Sequence, residues 1–151
     1  SNYNTAVGYA AGQAVSTGIN NTLIGGLAGD ALTVGTLNVA VGASALSTDT
    51  EGQNNTAVGY RALLTQNFTS ATNSYNTAFG ADAGKEVTTG IYNTLIGGLA
   101  GDAITDADYN VAIGLGSLGA DTLGSKSVAV GTAALQAQNF TTATDVYNTA
   151  V

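Results

Sequence analysis

Asn-Thr-Leu-Ile-Gly-Gly-Leu-Ala-Gly-Asp-Ala occupies residues 21–31 and returns unchanged at residues 93–103. Its first five residues belong to a shorter signal, polar–Thr/Val–Ala/Leu–Val/Ile/Phe–Gly. That signal starts at Asn4, Asn21, Asn38, Asn55, Asn76, Asn93, Asn110 and Ser127, and a ninth copy runs from Asn148 to Val151. Successive starts lie 17, 17, 17, 21, 17, 17, 17 and 21 residues apart, so the chain reads as two 72-residue units, 4–75 and 76–147, of four rungs each. About 42 of the 72 positions are identical between the units, and the long rung has the same phase in both. Self-similarity at a fixed period marks a repeat architecture.

Within each rung the motif alternates like a strand. Thr5 and Val7 share one face and Ala6 takes the other. The fourth position, Ile24 or Ile96, is expected to face the interior. Each strand ends at a Gly, and a small residue follows three positions on: Ala11, Ala28, Ser44 or Ala45, Ala62, Ala83, Ala100, Ser117 and Ala134. A second apolar–hydroxyl stretch comes next, such as Val15-Ser16-Thr17, and Gly18 turns the chain to the next Asn. Gly and β-branched residues interrupt every potential helical turn. Seventeen residues cannot hold a strand and a packed helix, so two short strands and two turns per rung are expected. The fold class is therefore all-β, a parallel β-roll or β-solenoid of 17- and 21-residue coils about 4.8 Å apart. The Asn column should stack along the rod as an amide ladder.

Composition narrows the function classes. The chain is 9% charged and 44% hydrophobic, with 21 Gly and no Pro, Cys, Met, Trp or His. Apolar residues in strict register argue against a disordered linker. The net charge of −7, with only Arg61, Lys85 and Lys126 as cations, argues against nucleic-acid partners and against contact with anionic membranes. No thiol chemistry is available. Because both ends fall inside the repeat, residues 1–151 are read as one repeat segment of a longer fibre.

A roll filled with Ala, Thr, Val and Ile buries little apolar surface per residue. Association with further copies, through the Ala/Leu side of the strand or the small-residue corner, is the expected remedy. Asn-Thr-Ala-Val-Gly, Asn-Val-Ala-Ile-Gly and Ser-Val-Ala-Val-Gly, each followed by the small residue, resemble the head repeats of YadA-like trimeric autotransporter adhesins. Similar repeats occur in phage tail fibres. The resemblance covers essentially the whole chain and implies a left-handed parallel roll, a homotrimer with parallel chains, and an extracellular place on a cell surface or virion fibre. The 17-residue rung is longer than the family's usual head repeat, and the 72-residue unit is not a general family feature.

Several motifs carry candidate chemistry. Residues 114–119, Gly-Leu-Gly-Ser-Leu-Gly, match the glycine spacing of a dinucleotide loop but lack its strand–helix context. Residues 25–30, Gly-Gly-Leu-Ala-Gly-Asp, approach a calcium-binding repeat, yet Ala28 occupies its fourth place and the period is wrong. Asp49 and Asp121 stand where Val15, Leu32, Val87 and Ile104 fill the equivalent positions. The preferred reading is a bulge that turns these carboxylates outward; the alternative is an ion site shared between chains, which makes them weak metal candidates. With no His or Cys, only a carboxylate pair could catalyse, and no aromatic groove accompanies one. Neither an enzyme nor a cofactor is expected.

The long rungs are the binding candidates. Their extra residues should project, presenting Gln66, Asn67, Phe68 and Thr69, and likewise Gln138, Asn139, Phe140 and Thr141, as an aromatic amid amides and hydroxyls suited to a glycan or surface-protein receptor. The alternative is a Phe that folds back as a plug. Asn67 and Asn139, with Asn20 and Asn54, also sit in glycosylation sequons. The expected function is a structural and adhesive fibre segment. The alternatives are an ice- or crystal-binding solenoid using the row Ser16, Thr33, Thr50, Thr88, Thr105 and Thr122, and, less favoured, a polysaccharide-cleaving tailspike.

Overall fold

The computed structural model describes residues 2–151 and contains, among these, no helix and thirteen short strands. In chain order they are β1 (Thr5–Val7), β2 (Thr22–Ile24), β3 (Val39–Val41), β4 (Gly52–Gln53), β5 (Thr56–Val58), β6 (Thr72–Asn73), β7 (Thr77–Phe79), β8 (Thr94–Ile96), β9 (Val111–Ile113), β10 (Gly124–Ser125), β11 (Val128–Val130), β12 (Thr144–Asp145) and β13 (Thr149–Ala150). One strand from every rung joins a nine-stranded parallel sheet in the order β1-β2-β3-β5-β7-β8-β9-β11-β13. Motif pairs with motif, as in Leu23 with Ala40. The pairing of Ala57 with Ala78 across the 21-residue rung keeps the same register. The molecule is a parallel β-solenoid of about nine turns.

The expected second strand of each rung is mostly absent. At that place neighbouring coils meet on a single carbonyl, as where Thr33 O accepts Ser16 N–H at 2.9 Å and Thr122 O accepts Thr105 N–H at 3.0 Å. Two-residue ladders form only beside the long rungs, β4 with β6 and β10 with β12.

The facing of the strand is the reverse of the sequence expectation. The central residue, Leu23, Ala40, Ala57, Ala78, Leu95, Ala112 or Ala129, is fully buried, whereas Ile24 is 38% exposed and Val7 57%. A three-residue strand alternates correctly in either phase, so volume decides. The interior is narrow and in most coils is filled by complementary pairs six residues apart; at Ala78, whose sixth residue on is Gly84, Leu63 and Leu95 of the neighbouring coils reach in. Where the strand carries Leu23 or Leu95, the partner is Gly29 or Gly101; where it carries Ala40, Ala57 or Ala112, the partner is Leu46, Leu63 or Leu118. A Cβ on Gly29 would lie 2.7 Å from Leu23 Cδ2 and 2.9 Å from Leu32 Cδ1. The small-residue column packs beside these pairs, and it is Ala45, not Ser44, that is buried in the third coil.

Two columns hold the coils together. The Gly that ends each motif has φ near 130°, and a Cβ on Gly25 would sit 2.5 Å from Gly42 O of the next coil, so side chains are barred there. The Asn column does form a ladder, but chiefly from amide to backbone. Asn93 Nδ2 donates to Ala107 O of its own coil at 2.8 Å, closing the turn, and Asn93 Oδ1 accepts Asn110 N–H at 2.9 Å. Asn21, Asn38, Asn76 and Asn110 repeat both contacts. An amide carries its donor and its acceptor on separate atoms, so one side chain serves both contacts.

Candidate interaction surfaces

The long rungs do not project as whole loops. Gln66 is fully buried and Phe68 is 7% exposed; only Thr69, Ser70 and Ala71 form an exposed tip before Thr72 joins β6. Asn67 is half-buried, and its Oδ1 accepts the Thr50 hydroxyl at 3.0 Å. In the second unit Asn139 and Thr141 are exposed, while Gln138 and Phe140 are half-buried and line a wide, open pocket with Leu135, Ala137 and Asn148. The difference follows from stacking: coil 76–92 covers Gln66 and Phe68. Phe68 is thus the plug that the sequence reading held as the alternative, and the four extra residues are only partly expelled.

Asp49 and Asp121 also point inward, both fully buried, which overturns the expected outward bulge. Asp49 Oδ1 accepts Gly52 N–H at 3.0 Å and Phe68 N–H at 3.1 Å, while Oδ2 accepts Gln66 Nε2 at 2.6 Å. Gln66 Oε1 in turn accepts Asn76 Nδ2 at 2.8 Å. Asp121 repeats the set with Gly124, Phe140 and Gln138. Burial pushes the Asp49 carboxyl up, and these donors pull it partly back. With N–H donors on both oxygens, this is a satisfied buried carboxylate. No cluster of three metal-ligating side chains exists among the described residues. Gln66, expected in a projecting loop, instead lies inside the coil as the partner of Asp49, and the signal for that pairing is in the sequence: Gln follows Asp by one 17-residue coil in both units.

Three surface columns remain. The hydroxyl row proposed for a crystal lattice is engaged along the axis: Thr33 Oγ1 donates to Thr50 O at 3.0 Å and Thr105 Oγ1 to Thr122 O at 3.1 Å. The strand face presents two columns instead. One runs Thr5, Thr22, Val39, Thr56, Thr77, Thr94, Val111 and Val128; the other runs Val7, Ile24, Val41, Val58, Phe79, Ile96, Ile113 and Val130. The second is an apolar stripe the length of the sheet, with Phe79 57% exposed at its middle. On the residue preceding each Asn lies a third column, where the rings of Tyr75, Tyr92 and Tyr109 stack.

Charges decorate one corner: Arg61 makes a bidentate pair with Asp82 at 2.7 and 3.0 Å. Among the described residues no helix is long and apolar enough to cross a membrane. Compared with known proteins, the chain matches no family model, no curated sequence and no solved structure.

Proposed function

We propose that this chain is a structural and adhesive segment of an extracellular fibre built from three parallel copies, as its resemblance to YadA-like head repeats and tail-fibre repeats implies. The observation that supports this reading is the outward stripe from Val7 through Phe79 to Val130. An uninterrupted apolar column on an otherwise Thr-rich sheet favours burial against another copy. Coils that repeat one strand motif at a common spacing let an in-register parallel neighbour meet the stripe along the whole rod. Adhesion then falls to what stays outside the bundle, including the tips Thr69-Ser70-Ala71 and Thr141-Thr142-Ala143, displayed repeatedly along the fibre to a glycan or surface protein. Light scattering tests the assembly: the mass should be three times 14.8 kDa. A folded monomer that stays monomeric at high concentration would refute it.

A second reading uses the same face differently. Two columns of Thr and apolar residues on a parallel sheet repeat at strand spacing, as a lattice-binding surface for ice or another crystal requires. A trimer buries this face and a crystal binder exposes it. Thermal hysteresis from a monomeric sample would favour the second.

A further inference from the structure

Tyr92 lies between Tyr75 and Tyr109 with ring centroids 5.6 and 4.9 Å away and rings only 12° and 10° from parallel. All three are substantially exposed, at 50%, 40% and 50%. The stack distinguishes the two units: Tyr92 and Tyr109 replace Asn20 and Leu37 of the first unit. Each Tyr holds a left-handed backbone conformation, φ 49°, 58° and 59°, which gives successive side chains a common direction. Backbone bonds fix the spacing, with Tyr92 N–H on Ser74 O at 2.8 Å and Tyr109 N–H on Ile91 O at 3.0 Å. Ring faces are turned to one another, so the stack offers solvent its edges and hydroxyls and is a poor platform for laying a sugar ring flat.

Parallel phenols one coil apart, held in register and open to solvent, are placed to couple. We propose that Tyr75, Tyr92 and Tyr109 are an oxidative cross-linking site, at which a haem peroxidase with hydrogen peroxide joins neighbouring rings as dityrosine. One electron and the phenolic proton leave each of two tyrosines, giving two tyrosyl radicals. The radicals form a carbon–carbon bond between ortho positions, and the two ortho hydrogens shift to the phenolic oxygens as aromaticity returns. The tyrosine pair thus loses two hydrogens, and the peroxide is reduced to two waters. Because Tyr75 ends the first 72-residue unit and Tyr92 belongs to the second, a bond between them staples the junction of the units. This inference does not rest on the trimeric reading, since the column stands apart from the apolar stripe.

The test treats dilute folded chain with a haem peroxidase and hydrogen peroxide, followed by peptide mapping. The expected product has lost two hydrogens, keeps the mobility of an uncross-linked chain under denaturing conditions, shows dityrosine fluorescence, and maps to Tyr75–Tyr92 or Tyr92–Tyr109. Tyr92→Phe should abolish the intrachain product, whereas Tyr75→Phe should retain the Tyr92–Tyr109 link and Tyr9→Phe should change nothing. Oxidation of wild-type chain unfolded in denaturant should lose the preference for these three. Links that map chiefly to the more exposed Tyr3, Tyr9 or Tyr147, or a product undiminished in Tyr92→Phe, would overturn the proposal, as would an absence of dityrosine in folded wild type.

Discussion

Gln66 Nε2 donates to Asp49 Oδ2 across 2.6 Å, from a position one coil along the rod, and both side chains are fully buried. The pair explains why a narrow apolar solenoid tolerates a carboxylate. Coils one and two of each unit fill this place with Val15 and Leu32, or Val87 and Ile104; coils three and four fill it with Asp and Gln. The Asp caps the turn at Gly52 and anchors Phe68 N–H, so it fixes the long rung as well as occupying the core.

A pH dependence follows from this pair. Burial raises the Asp49 carboxyl above its ordinary value of 3.8 despite its donors. A group raised in the folded state contributes stability that is complete below the unfolded value and is lost as pH rises through the folded one. Thermal melts of Asp49→Asn should therefore show a shallower fall in stability from acid to neutral pH than wild type. Equal slopes would mean that Asp49 does not titrate in that window.

The reversed facing gives a sharper pair of variants. Leu23→Asp places an unpaired carboxylate in the interior and should unfold the chain, at a cost of several kcal/mol. Ile24→Asp points to the surface and should keep the parallel-sheet circular dichroism while lowering the mass seen by light scattering. Circular dichroism that survived Leu23→Asp but collapsed with Ile24→Asp would contradict the observed facing.

The period, the parallel stacking and the Asn column were legible because Gly and Asn recur at fixed places in nearly every coil. Gly25 cannot carry a Cβ, and Asn93 must both donate and accept. The phase of the strand was not legible from alternation, since Thr-Leu-Ile reads equally well either way up. It was encoded in volume, through Leu23 with Gly29 and Ala40 with Leu46. Burial of Asp49 was likewise hidden until Gln66 was placed above it, because a carboxylate judged without its neighbouring coil looks too costly to bury. The tyrosine stack needed the coil path, since its three members lie 17 residues apart.

The Asn ladder predicts a graded loss. Asn93→Ala leaves Ala107 O and Asn110 N–H without their partners, and each unpaired buried group costs about 1–3 kcal/mol. Thr88→Ala, on an exposed residue, removes only one hydroxyl bond to Thr105 O and should shift the melting temperature far less. Equal shifts for the two variants would show that the amide column is not what closes the coils.

The long rung separates into a structural part and a free part, and deletions should divide the same way. Gln66 and Phe68 are buried, and Phe68 O accepts both Glu51 N–H at 3.0 Å and the Thr50 hydroxyl at 2.8 Å. Beyond them, Ser70 and Ala71 are exposed, and β6 re-enters the stack at Thr72. Shortening an exposed loop changes closure entropy by only a fraction of a kcal/mol. Removing Ser70 and Ala71 should therefore leave the melting temperature within a few degrees of wild type and, if the tips adhere, weaken attachment to the target surface. Phe68→Ala should instead cost about 3–5 kcal/mol, as for a large buried aromatic. A Phe68→Ala chain that melts like wild type, beside a tip deletion that unfolds, would show that the exposed tip holds the coil and the aromatic does not.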